Sequence, residues 1–225
     1  DNGDFTSGLA GVLYPDGKRN PTDPGKIALW AWAAQRVLDY AESEPRLDMT
    51  RAMVCGHSRL GKTALFCGAT DERFFLAHSN DSGCSGAAIT RDKVGERVEQ
   101  ITRNFPYWFC ENYKKFIGKE AEMPFDQHFL AALCADPARH FILVSGVLSE
   151  PWNNVEGQVM AAVGAQPAWD LLTGRLLPTV MVNFYSLILS IPIGIALISS
   201  AMPAFSAAFH ASSNVNWGAL ITMLE

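Results

Sequence analysis

The stretch Arg51-Ala52-Met53-Val54-Cys55-Gly56-His57-Ser58-Arg59-Leu60-Gly61-Lys62 decides the fold of this chain. An apolar run of strand type, Met53 to Cys55, drives into Gly-x-Ser, and Leu60, Lys62, Ala64, Leu65 and Phe66 beyond it suit a helix. A strand, a tight turn and a helix with serine at the apex make a nucleophile elbow. Such a turn lifts the hydroxyl above the sheet edge, and the helix N-terminus supplies N–H groups and a positive field for a developing oxyanion. Ser58 is therefore the candidate nucleophile. The common motif carries glycine two residues after the serine, where this chain has Leu60, and the tripeptide alone is equally compatible with a serine that caps an ordinary βα unit.

Length and composition limit the remaining choices. A chain of 225 residues with 48% hydrophobic content can bury one sizeable core as a single domain. Its net charge of −5 and the lack of any long Lys/Arg cluster argue against nucleic-acid binding. Five cysteines at 55, 67, 84, 110 and 134 show no C-x-x-C spacing, so no structural zinc site is expected.

Around the elbow the pattern alternates strand and helix. Residues 1–26 are rich in glycine and proline and read as a loop, followed by an amphipathic helix carried by Ile27, Trp30, Ala31, Ala34, Val37, Leu38 and Ala41. A second strand is expected at Phe74 to Ser79, short helices at Val94 to Ile101 and Phe129 to Leu133, and a buried strand at Phe141 to Ser145. The order β-α-β-α-β implies a doubly wound, mostly parallel α/β sheet. Only about fifty residues precede Ser58 and they hold no convincing strand, which suggests a domain lacking N-terminal strands.

From Leu176 to Leu224 no Asp, Glu, Lys or Arg occurs, and two readings of this tail stand side by side. Val180 to Ala201 is long enough to cross a bilayer as a helix, although Pro192 interrupts it and an interior proline costs a helix about 3 kcal/mol. In the other reading Ile193 to Ile198 is a last buried strand and Asn216 to Leu224 a closing helix. His210 then follows the last strand, where the order serine, acid, histidine places the base. His57, His78 and His140 lie in or beside strands and read as structural.

The wider string Gly56 to Lys62 resembles the signature of the glucuronoyl esterases, carbohydrate esterase family fifteen. Four further segments resemble bacterial members: Gly68 to Phe74, Ser79 to Ala88, Arg103 to Cys110 and Pro124 to His128. The resemblance runs from about Gly25 to Gly174. It implies an α/β-hydrolase that cleaves the ester between 4-O-methyl-glucuronic acid of xylan and lignin alcohols through a serine acyl-enzyme. No metal or organic cofactor is expected, nor nucleic acid or a membrane as partner, and the protein is expected to be an exported monomer. Ser58 is the implied nucleophile and His210 the base, standing seven positions before Trp217, although its neighbours Phe209 to Ser213 depart from the family pattern. Two acids compete: Glu150, two residues before Trp152 and after the strand at 141–145, and Asp81, at the end of the strand after the elbow. Glu150 is favoured because its loop is the commoner place for the orienting acid. Arg59 would stabilise the oxyanion beside backbone N–H groups, Lys62 and Glu96 would bond the sugar hydroxyls, and Trp152 would pack on the sugar ring. His128 matches a structural position. A Cys84–Cys110 disulfide and free buried thiols are both compatible with the segments involved. A general carboxylesterase or acetylxylan esterase, and a non-catalytic carbohydrate-binding remnant, are the rivals.

Overall fold

The computed structural model describes residues 2–91, 94–139, 142–147, 150–174 and 180–185. Four parallel strands form its sheet: β1 (Met53–His57), β2 (Leu76–Asn80), β3 (Ile142–Val147) and β4 (Val180–Tyr185), in the order β1-β2-β3-β4. The register pairs Cys55 with His78, Ser79 with Val144, and Val144 with Val182.

The helices are α1 (Gly8–Leu13), α2 (Lys26–Glu42), α3 (Arg59–Thr70), α4 (Val98–Asn104), α5 (Gln127–Leu133) and α6 (Val155–Thr173). Helix α3 packs on β1 and β2, α6 on β3 and β4, and α5 fills the space between α3 and α6. Sequential strand order with right-handed crossovers places such connections on one face. Among the described residues the winding runs in one direction.

Strand alternation sorts the two faces. Val54, Ala77, Ile142 and Val144 point to the helices and join Leu65, Ala131, Cys134, Ala162, Ala165 and Trp169 in the main core. Trp169 is fully buried, and its indole N–H donates to the Ala131 carbonyl at 3.0 Å, so the largest core side chain is also satisfied. Gly68 and Gly164 let elements approach: a Cβ at Gly68 would meet the Ala77 side chain at 2.6 Å, and one at Gly164 would meet His128 at 3.0 Å. On the opposite face Met53, Cys55 and His57 are exposed. Beneath the helices, the Arg139 guanidinium is buried and donates to the carbonyls of Phe74, Gly68, Cys134 and Asp71, which ties the start of β2 to the α5 end.

Several expectations need correction. Residues 1–26 are not all loop, because α1 lies within them. The helix expected at Val94 to Ile101 begins four residues later as α4, since Gly95 takes φ 71° and the Arg97 amide donates to the Gln100 side chain at the helix start. Helix α6 was not anticipated at all. Val180 to Tyr185, the start of the candidate membrane helix, is a strand paired with β3. No described helix is long and apolar enough to cross a membrane. The expected strand at 193–198, the helix at 216–224, His140 and His210 lie outside the described residues.

Candidate active site

The elbow is built by backbone geometry. Ser58 holds φ 56° and ψ −120°, a conformation that costs a non-glycine residue on the order of 1–3 kcal/mol. Two backbone bonds hold it there: its amide donates to the Asn80 carbonyl at 2.8 Å, and its carbonyl accepts from the Lys62 amide at 3.1 Å as α3 begins. The glycines explain the unusual spacing. A Cβ at Gly56 would collide with the Leu60 carbonyl, and one at Gly61 would sit 2.5 Å from the Asn80 carbonyl oxygen and 3.1 Å from Ser82. The position that must be bare is therefore three residues after the serine, and Leu60 is free to be large because it points outward, 52% exposed.

Arg59, the first residue of α3, places its guanidinium 5.4 Å from the Trp108 ring centroid and 6.0 Å from that of Phe105. The two rings are stacked at 3.7 Å and 3°. This aromatic platform holds the cation beside the serine.

The loop after β2 and the loop after β3 meet above the strand ends. Asp81 follows β2 at φ 53° and is buried. Lys62 is buried too, and its ammonium donates to the Ser82 carbonyl and, at 2.5 Å, to the Cys84 carbonyl. Burial lowers its pKa below the usual lysine range, and its electrostatic interactions with Cys84, Glu96 and Asp81 oppose that. Lys62 thus straps α3 to the 82–84 loop. Glu96 is partly exposed, and burial raises its pKa while Lys62 pulls it back. Its amide donates to the Trp152 carbonyl at 3.0 Å.

Glu150 stands just before a short 3-10 turn, Pro151–Asn153, and its carboxylate accepts from the Trp152 indole N–H at 2.5 Å. A Cβ at Gly83 would lie 3.2 Å from the Trp152 ring, so the loop carrying Asp81 runs directly under the one carrying Glu150. Asn154, in the left-handed region at φ 51°, caps α6 by accepting from the Gly157 amide at 2.8 Å, and Gln158 donates to Asn153 at 3.0 Å. These contacts bring Ser58, Arg59, Lys62, Asp81, Glu96, Glu150 and Trp152 to one end of the sheet.

Of the described histidines, His57 Nδ1 is 3.0 Å from Asn80 Nδ2 of the side chain, His78 Nδ1 is 3.3 Å from Cys55 Sγ, and His128 packs against Phe129. All five cysteines are free, so the Cys84–Cys110 bridge is not formed. Cys84 belongs to the cluster of Ile27, Ile101 and Trp108, whereas Cys110 packs with Val98, Tyr113 and Met123. Among the described residues no cluster of three metal-ligating side chains occurs. Sequence reasoning assigned no role to the Phe105–Trp108 platform or to Asn154, although an Asn three residues before Gly157 is a legible helix cap.

A parallel sheet with a strained serine between β1 and α3 is the arrangement of an α/β-hydrolase elbow, and comparison with known proteins agrees. The family model described as glucuronyl esterase, fungi, matches residues 12–173. The chain belongs to the glucuronoyl esterase family. It is 42% identical to carbohydrate esterase MZ0003 of an unknown prokaryotic organism, over 76% of this chain and 40% of that protein. It is 31% identical to the 4-O-methyl-glucuronoyl methylesterase of Hypocrea jecorina, over 66% of this chain and 33% of that one. Its fold matches that of a family fifteen glucuronoyl esterase from Teredinibacter turnerae with a TM-score of 0.75 at 32% identity, covering 89% of this chain and 52% of the other. The chain therefore spans between a third and about half of the length of these relatives.

Proposed function

We propose that this chain carries the nucleophile of a serine esterase that hydrolyses the ester between 4-O-methyl-glucuronic acid of xylan and an alcohol, lignin alcohols included. The observation that supports it most is the elbow: Ser58 in a strained conformation, fixed by the Asn80 carbonyl, on a chain of this family. A base takes the Ser58 proton as Oγ adds to the ester carbonyl, the alcohol leaves with that proton, and water then releases the uronate from the acyl-enzyme. His210 is assigned as base and Glu150 as the acid that orients it, with Asp81 in support. Arg59 on its aromatic platform faces the charge that develops on the carbonyl oxygen. Glu96 and Trp152 form the sugar side, and Lys62 shapes that side from beneath through the 82–84 carbonyls. The whole enzyme is a doubly wound α/β-hydrolase and a monomer, and it is exported because its polymeric substrate lies outside cells.

Selectivity separates this reading from a general carboxylesterase. A site built for polar groups rejects analogues that lack them. Benzyl glucuronate should therefore be cleaved far faster than an acetate ester of the same alcohol, and Ser58→Ala should abolish turnover of both while leaving the fold intact. Equal rates on the two esters would favour the general esterase, and an active Ser58→Ala variant would end the serine mechanism.

A further inference from the structure

The indole of Trp152 does two jobs at once. More than a third of its surface is open, so a sugar ring can pack on it, while its N–H is committed to the Glu150 carboxylate at 2.5 Å. Its backbone has little freedom. The Trp152 carbonyl accepts from the Glu96 amide, and a Cβ at Gly95 would lie 2.7 Å from that carbonyl. The Asn153 amide donates to the Glu150 carbonyl at 3.2 Å, and the Asn154 cap fixes the next residue. Gly83 leaves just the space the ring occupies. A side chain pinned on this many sides can hold its hydrogen-bond partner in one orientation.

We infer that Trp152 is a positioning residue for Glu150, so that packing of the sugar ring and orientation of the acid are coupled through one indole. The inference rests on Glu150 being the acid that orients the base, and it assigns Trp152 a role beyond a hydrophobic wall. A charge-assisted bond from a rigid donor restricts a carboxylate to a narrow arc, and a small error in that arc is costly in turnover because catalytic groups act only in near-attack geometry.

Trp152→Phe keeps an aromatic face and deletes the donor, which makes it the informative change. In the full chain with benzyl glucuronate, kcat should fall about tenfold while KM stays within about twofold, the split expected when orientation rather than substrate binding is lost. On a Glu150→Ala background the same change should cost little further, since its effect passes through Glu150. A Trp152→Phe variant that raises KM, leaves kcat unchanged and costs the same with or without Glu150 would overturn the inference. A second readout needs no turnover: the 15N-labelled Trp152 indole N–H resonance should lie downfield in the parent and move to the position of a free indole in Glu150→Ala. An unmoved resonance overturns the bond itself, whereas a parent with no glucuronate esterase activity sinks the esterase reading and with it the purpose assigned to the bond.

Discussion

Replacing Gly61 with alanine tests whether the elbow is held by close contact between α3 and the end of β2. The added Cβ would stand 2.5 Å from the Asn80 carbonyl oxygen, about 0.9 Å inside ordinary contact, and 3.1 Å from the Gly56 carbonyl oxygen. Neither neighbour is a flexible side-chain end, so the helix must move away from the strand. Overpacking of this kind costs about 1–3 kcal/mol. The Asn80 oxygen also accepts from the Ser58 amide, and losing that bond adds about 0.5–1.5 kcal/mol. Alanine's better helix propensity returns about 1 kcal/mol, which leaves a net loss of about 0.5–3.5 kcal/mol. In urea unfolding followed by circular dichroism, with a slope of about 1–3 kcal/mol per molar, the midpoint should drop by about 1 M. Leu60→Ala, at the exposed position where the common motif has glycine, should barely move it. Turnover of a glucuronate ester without denaturant should fall at least about tenfold in Gly61→Ala, because the serine conformation hangs on the same carbonyl. A Gly61→Ala midpoint equal to the parent's would refute the argument from close approach.

Two further outcomes are expected. Glu150→Ala and His210→Ala should each cut kcat strongly, while Asp81→Asn, which tolerates the positive φ at 81, should cost less; a crippled Asp81→Asn beside a mild Glu150→Ala moves the acid to the loop after β2. Burial pushes the Cys67 and Cys134 thiols up to about 12 and the Cys84 thiol up to about 11. The unfolded thiols ionise near 9.0 while the folded ones keep their protons, so stability must fall as pH rises through that window, by up to about 1.4 kcal/mol per pH unit for each thiol. Lys62, whose folded pKa is depressed by burial, acts in the opposite sense below 10.5, but one lysine opposes three thiols. A urea midpoint that stays level between about pH 9 and 11 would contradict this balance.

What could be read from the sequence was local. The strand, the Gly-x-Ser turn and the start of α3 lie within a dozen residues, and a parallel sheet followed from the alternation of elements around them. The displaced glycine was not legible, because the need for it comes from the Asn80 carbonyl, 19 residues further on. Helix α6 escaped for another reason. Val159, Ala161, Ala162, Ala165 and Trp169 are buried, yet Met160, Val163, Leu171 and Leu172 on its outer side are also apolar, and Pro167 and Gly164 weaken the helical signal. Strand β4 opens a long, mostly apolar stretch in which Asn183 is the one polar residue of the strand, so no regular polar alternation marked it as a strand. The candidate site was legible as residue types but not as contacts. Lys62 reads like a cation waiting for a ligand, and only the fold reveals that the Ser82 and Cys84 carbonyls accept from it.

The strand order has a consequence for how the protein is made. Each described strand pairs with its predecessor in the chain, so the order of synthesis from the N-terminus is also an order in which the sheet can grow. When Asn80 has left the ribosome tunnel, β1, α3 and β2 are complete, and the bond from the Ser58 amide to the Asn80 carbonyl can close across a span of 22 residues. The loop-closure cost grows only slowly with length, so a 22-residue span costs little more than a shorter one. The serine can thus be set in its strained pose on the nascent chain while Glu150 and Trp152 are still to be translated, and the later loops are added to an elbow already in place.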